Sequence, residues 1–280
     1  MGRESWRQRG APRLGATTVF GVRTRNSPRE TTVLWSGAVA VSARPWPRTR
    51  DWAYLLITGA HTADSALPGD DIVEGWLSRL THLGYVGVRT GAVSPDIART
   101  LSHNGFRSVQ DLTLLSADLS GRSATDRQGP SIRPLRGRFL SRHSVVDRIL
   151  HIDHVSFGER WALDHTSLGE AVRATHRSRL FVARVAGGVP VGFVLAGMTD
   201  STGFIQRLAV LPDHRGEGIG LHLMNAAHRW LRSRGCSTAI VNTETANEPA
   251  LRLYLRCGYA ELPYGLQVLE RNLTTGVTEA

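Results

Sequence analysis

The sequence predicts an α+β chain built from two successive units, and three observations carry that prediction. Short β-branched and aromatic runs alternate with segments of three-and-four apolar spacing along the whole chain. A set of spacings in residues 76–115 recurs in residues 230–270. A glycine-rich turn joins the apolar strand ending at Val210 to an amphipathic helix. At 280 residues and 41% hydrophobic content, the chain is long enough for two cores of ordinary size.

Taken in order, residues 1–15 are rich in Arg and Gly without periodicity and are expected to be a frayed tail. Strand-like runs follow at 16–23, 31–35, 38–42 and 52–58, separated by turn residues. Asp70 to Leu83 is a helix with apolar residues at Ile72, Val73, Trp76, Leu77, Leu80 and Leu83. A strand near 86–90, a helix at about 95–104, a stop at Gly105 and a strand from Val109 complete the first unit, 16–120. Residues 121–130 are rich in Ser, Gly, Asp and Arg and read as a linker.

The second unit, 131–273, opens with a strand at Ile132 and a helix from Ser144, a plausible N-cap, to Phe157. A short helix near 167–176 follows, then strands at 180–186, 189–197 and 203–211. The long helix 216–234 carries Ile219, Leu223, Ala227, Trp230 and Leu231 on its core stripe and ends at Gly235. Strand 238–244, a helix from Asn247 to Cys257, a stop at Gly258 and strand 265–270 finish the unit, and 274–280 is a tail.

The two units align. Trp76-Leu, Gly84 and Gly105-Phe parallel Trp230-Leu, Gly235 and Gly258-Tyr, and residues 52–58 occupy the place of 204–210. The first unit therefore reads as a truncated, degenerate copy of the second. Its counterpart of the glycine turn is His61-Thr-Ala-Asp-Ser-Ala-Leu-Pro-Gly, and Leu101 stands where the second copy has Tyr254. The alternative is an unrelated α+β unit with coincident spacing.

The glycine turn, Arg215-Gly216-Glu217-Gly218-Ile219-Gly220, suits an anion. Glycines let a ligand lie against the peptide planes, and the first helical turn leaves N–H groups unpaired at the positive end of the helix dipole. Arg215 adds a formal charge. Neither the P-loop nor the dinucleotide pattern fits, and the chain contains no lysine, which argues against P-loop ATPases, ordinary protein kinases and Schiff-base enzymes. With the preceding Leu208-Ala-Val-Leu-Pro and the later Asn247-Glu-Pro-Ala-Leu-Arg-Leu-Tyr254, the hexapeptide resembles the signature of the GNAT family of acetyl-CoA-dependent N-acetyltransferases. The resemblance covers roughly residues 131–273 and implies a mixed, largely antiparallel sheet flanked by helices.

It further implies acetyl-CoA as cosubstrate, with pantetheine on the backbone of Leu208, Ala209 and Val210 and pyrophosphate on the N–H groups of 216–220. Asn247 is a contact to CoA on this basis, and by its position also a helix N-cap. Tyr254 falls where the family places the phenol that protonates the departing thiolate, or else it is a core tyrosine. Ribosomal-protein alanine acetyltransferases carry a Glu five residues before the Asn, where this chain has Asn242. Glu244 shares that strand face by the period of two and is either the base, directly or through a water, or an exposed structural residue. The segment from Asp153 through Phe157 to Trp161 resembles an element that walls the acceptor site in those enzymes.

Other classes recede. The net charge of +10 is scattered with no basic run, which argues against nucleic acid. Two cysteines suit a reduced compartment, the basic N-terminus lacks an apolar signal segment, and the apolar stretch 180–198 is broken by Arg184, Gly187-Gly188 and Pro190. A soluble, cytoplasmic protein is expected. His151 and His154 have no third ligand at metal spacing, so no metal is expected, and His214, His222 and His228 are read as solvated. The expected activity is acetyl transfer to a primary amine of a small molecule or a protein N-terminus. The rival is a catalytically weak acyl-CoA-binding module.

Overall fold

The structure, a computed structural model, describes residues 32–36, 40–46, 49–58, 69–121, 131–135 and 143–273. The expected tails, the strand at 16–23, the loop at 61–68 and most of the linker lie outside these residues.

The first half gives β1 (Thr32–Ser36), β2 (Ala40–Pro45), β3 (Trp52–Thr58), α1 (Asp70–His82), β4 (Gly87–Thr90), α2 (Pro95–His103) and β5 (Arg107–Asp118). The second gives β6 (Ser131–Pro134), α3 (His143–Trp161), α4 (His165–Arg173), β7 (Arg177–Arg184), β8 (Pro190–Thr199) and β9 (Thr202–Val210). It continues through α5 (Ile219–Ser233), β10 (Thr238–Glu244), α6 (Glu248–Arg256), β11 (Ala260–Glu261) and β12 (Leu266–Asn272).

The strands form one mixed, mainly antiparallel sheet in the order β1-β2-β3-β4-β12-β5-β10-β9-β8-β7-β6, with β11 on β5. The order is nearly palindromic. β3 lies parallel to β4 as β9 lies parallel to β10, and between these pairs the last strands of the two halves have changed places. β5 lies against β10, β12 lies against β4, and β5 and β12 pair with each other at the centre, all antiparallel. The helix ends repeat as well: Gly84 and Gly235 close α1 and α5, and Gly105 and Gly258 close α2 and α6, with φ of +87°, +84°, +74° and +87°. These are left-handed positions that favour glycine after a helix.

The exchange carries side chains with it. Leu115, Ala117 and Leu119 of the first half lie in the core under α5, and Leu269 of the second lies in the core of α1 and α2. The core under α5 and the core of α1 and α2 therefore each draw on both halves, which periodicity within each half does not reveal, whereas the core between α3, α4 and β7–β9 is closed by the second half alone.

Local differences from expectation have local causes. Leu83, expected on the core stripe of α1, is the C-cap and is 53% exposed. α3 begins at His143, so Ser144 lies inside it, and the helix breaks at Gly158 with φ of 72°. α4 starts two residues before the expected position because Asp164 caps it, accepting from Ser167 N while Ser167 Oγ accepts from Asp164 N. His228, expected in solvent, is 5% exposed inside α5, where Nε2 lies 2.9 Å from the Tyr259 hydroxyl. Burial, with the charge of Arg232 second, pushes its pKa down to about 4.

Candidate active site

The register of β9 and β10 opens the site. Their parallel pairing runs from Thr238↔Thr202 to Val241↔Ile205 and stops there. β9 continues to Val210 and β10 to Glu244, so the strands splay and the backbone of 206–210 has a neighbour only on its β8 side. An unpaired strand edge inside a protein is an invitation to an extended ligand. A cleft of about 730 Å³ opens at this splay.

One end of the cleft is the glycine turn. Pro212–His214 form a single 3₁₀ turn, and Gly216 and Gly218 then take φ of +84° and +77°. Gly218 is the N-cap of α5 and offers no side-chain cap, so the first N–H groups of this 15-residue helix face the cleft mouth without a capping oxygen. Gly220 serves another purpose: a Cβ there would sit 3.0 Å from Leu253 Cδ2, so its lack of a side chain lets α5 approach α6. Arg215 is exposed and donates through Nε to Val210 O at 3.2 Å. Arg256, an exposed residue of α6, also lines this cleft and was not anticipated, because it has no fixed place in the loop motif.

Leu208, Ala209, Val210, Arg215, Gly216, Gly218, Ile219, Gly220, Glu244, Asn247 and Tyr254 all line the cleft; Glu217 does not, and its carboxylate lies 3.3 Å from His214 Nδ1. Asn247 caps α6 by accepting from Ala250 N at 3.3 Å, leaving its amide N–H₂ for other partners. Tyr254 is 6% exposed, its ring centroid 5.8 Å from that of Tyr259. Burial first, and the neighbouring Cys257 second, raise its phenol well above the usual value against the opposing charge of Arg207, so it carries its proton at neutral pH. Glu244 is exposed and accepts a hydrogen bond from Gln110 Nε2 of β5. Asn242, two residues earlier on the same wall, has a buried Nδ2 without a partner among the described residues.

The opposite end is built by both halves, which no motif announced. Arg44, Trp46, Tyr54, Gln110 and Leu112 come from the first half, and Trp161 and Glu170 from the second. Arg44 pairs with Glu170 and lies 4.9 Å over the Tyr54 ring. Burial raises the Glu170 carboxyl despite that cation, and burial likewise pushes the Tyr54 phenol up to about 12. Trp46 meets Tyr54 and Trp161 edge-on at 5.1 and 5.9 Å.

Asp153 anchors this end to β9. It is fully buried and takes Arg207 Nε and Nη2 at 2.7 and 2.9 Å, while Leu163 N donates to it at 2.7 Å. Arg207 also donates to Trp161 O at 2.7 Å and stacks on Phe157, 3.4 Å from its centroid. The segment singled out in the sequence is thus a brace that holds Trp161 and the α3–α4 turn against the splayed strand. A buried ion pair with this many satisfied donors is costly to break on one side only.

His151 and His154 are exposed, and no group of three potential ligands for a metal occurs among the described residues. No helix among them is long and apolar enough to cross a membrane.

Comparison with known proteins bears on the fold. A model of the acetyltransferase (GNAT) family matches residues 146–259, which run from within α3 to Tyr259, three residues beyond α6. A GCN5-related N-acetyltransferase from Sphaerobacter thermophilus is similar over 90% of this chain and 83% of its own, with a TM-score of 0.61 at 17% identity. A tandem GNAT protein from the clavulanic acid biosynthesis pathway matches over 88% and 85%, with a TM-score of 0.64 at 12% identity. A GCN5-related N-acetyltransferase from Kribbella flavida matches over 86% and 90%, with a TM-score of 0.55 at 15% identity. At such identities the likeness is one of fold, and it extends across both halves. The C-terminal half of the chain thus matches the acetyltransferase (GNAT) family, and the chain as a whole shares the fold of solved GNAT proteins.

Proposed function

We propose that the protein transfers the acetyl group of acetyl-CoA to a primary amine of a small molecule or a protein N-terminus. The observation that carries this reading is the end of β9–β10 pairing at Val241↔Ile205, beside a helix N-terminus without a side-chain cap and opposite a buried phenol. Pantetheine would add to the free edge at 208–210 and the pyrophosphate would lie on the N–H groups of 216–220, with Arg215 and Arg256 beside it. The amine nitrogen attacks the thioester carbonyl, and the oxyanion meets a backbone N–H near Val210. Collapse expels the thiolate, which takes the proton of Tyr254. Glu244 removes the amine proton, directly or through water. In this reading residues 16–120 are a degenerate copy that binds no CoA of its own and shapes the acceptor end.

A second reading, an acyl-CoA-binding module with little turnover, is favoured by Asn242 standing where alanine acetyltransferases carry a carboxylate. Thiol release separates the two: both bind CoA, and only the enzyme releases thiol when an amine is added. A broad amine screen that yields binding without release would refute acetyl transfer.

A further inference from the structure

The acceptor end of the cleft carries a charge that its own residues do not neutralise. Arg44 is matched by Glu170 and Arg207 by Asp153, one to one. Glu270 of β12, by contrast, meets three guanidinium groups. Arg89 donates to its Oε2 through Nε at 3.1 Å and Nη2 at 2.7 Å, Arg160 donates to the same oxygen at 3.1 Å, and Arg107 reaches Oε1 at 3.4 Å. Burial alone would raise this carboxyl, but the hydrogen bond and charge of Arg89, followed by Arg160 and Arg107, hold it below its usual range. One negative charge therefore serves three positive ones.

The three arginines are not equivalent. Arg89 is buried, with the rings of Trp46, Trp52 and Trp161 at 4.8, 5.2 and 5.4 Å, so its guanidinium is fully engaged. Arg107 is 68% exposed and does not line the cleft. Arg160 does line it, is 51% exposed, and spends one of five N–H donors on a carboxylate oxygen already held by Arg89. Next to it the wall is apolar, formed by Trp161, Ala92, Leu112 and Val268, and farther along come Asn242, with its unpartnered Nδ2, and Glu244.

We infer that the acceptor is an amine that also carries an anionic group, carboxylate or phosphate, and that Arg160 is the residue that binds the anion. The apolar body lies on Trp161, Leu112 and Val268, which directs the amine toward the β10 wall. Polyamines and aminoglycosides are disfavoured, because a second ammonium would meet the excess positive charge around Glu270. The assignment rests on the acetyltransferase reading only for which group is acetylated, and its test is a binding measurement.

The test titrates the CoA-loaded full chain with N-acetyl amino acids against their methylamides, and with N-acetyl-O-phosphoethanolamine against N-acetylethanolamine, following binding by ligand-observed NMR. The anionic member of at least one pair should bind about tenfold to a hundredfold more tightly, the range for a hydrogen-bonded charge pair. Which pair shows the preference identifies carboxylate or phosphate. Arg160→Gln should abolish the preference while Arg89 and Arg107 still satisfy Glu270, with an unchanged thermal melt as the check on folding. Arg107→Gln should keep the preference, because that side chain lies outside the cleft. Equal binding within both pairs, a preference that survives Arg160→Gln, or an equal loss in Arg107→Gln overturns the subsite. A failure of thiol release with the preference intact would refute acetyl transfer instead, leaving the anion subsite standing.

Discussion

Removing the first half should unfold the second, although the family match lies wholly in the second. In residues 131–273 alone, β10 loses all seven register partners on β5, from Thr238↔Asp118 to Glu244↔Leu112. The cores on both faces lose Leu112, Leu114, Leu115 and Leu119, which are 9, 4, 0 and 2% exposed. At roughly 1.5–3 kcal/mol for each buried leucine, the loss is about 6–12 kcal/mol, as large as the whole net stability of an ordinary domain. The isolated segment should show no cooperative thermal transition by circular dichroism and no dispersed amide spectrum. Co-expression with residues 1–121 should restore both. The milder variant Leu115→Ala in the full chain should cost about 2–5 kcal/mol in denaturant unfolding, the range for a fully buried leucine. A segment 131–273 that melts cooperatively within a few degrees of the full chain would show that the exchanged strands are dispensable.

Tyr254→Phe keeps the ring and removes the proton, so kcat should fall by roughly 10²–10⁴ with little change in the KM for acetyl-CoA; turnover within about threefold of the parent would make Tyr254 a packing residue. Gly218→Ala puts a methyl group on a left-handed residue in open space at the cleft mouth, with His222 at 3.9 Å, so calorimetry should show at least about tenfold weaker CoA binding but unchanged pantetheine binding. Equal losses for both ligands would place the pyrophosphate elsewhere. His228, with its pKa depressed from 6.5 to about 4, supports full stability above pH 6.5 and withdraws it as the pH falls toward 4. Over that window the cost is about 3 kcal/mol, because the unfolded chain binds the proton first. His228→Gln, which can still bond Tyr259, should flatten the stability–pH curve there, and a slope equal to the parent's would refute the assignment.

Much of the end proposed for the cofactor was legible in the chain because it is local. The glycine turn, the strand before it, the Asn cap and Tyr254 lie within about fifty consecutive residues, and each has a fixed place in a strand-turn-helix sequence. The paired glycines after α1, α5, α2 and α6 were legible for the same reason, since a helix that ends in the left-handed region favours glycine. Side chains whose surroundings come from far along the chain were misread. His228 has the spacing of a surface residue, but Tyr259, 31 positions away, gives it a buried partner. Strand exchange is invisible to periodicity, because β5 and β12 keep the same alternation whichever neighbour they choose; long-range pairing decides that choice. The same pairing brings Arg44, Trp46, Tyr54 and Gln110 to a cleft whose other wall, with Glu244 and Tyr254, lies more than a hundred residues later. The sequence by itself carried the resemblance to the GNAT family, the glycine turn and the order of elements, all of which rest on neighbours along the chain. Only the tertiary structure decided that both halves build the end of the cleft proposed for the acceptor and that three arginines converge on Glu270, because those contacts join residues with no spacing relation to one another.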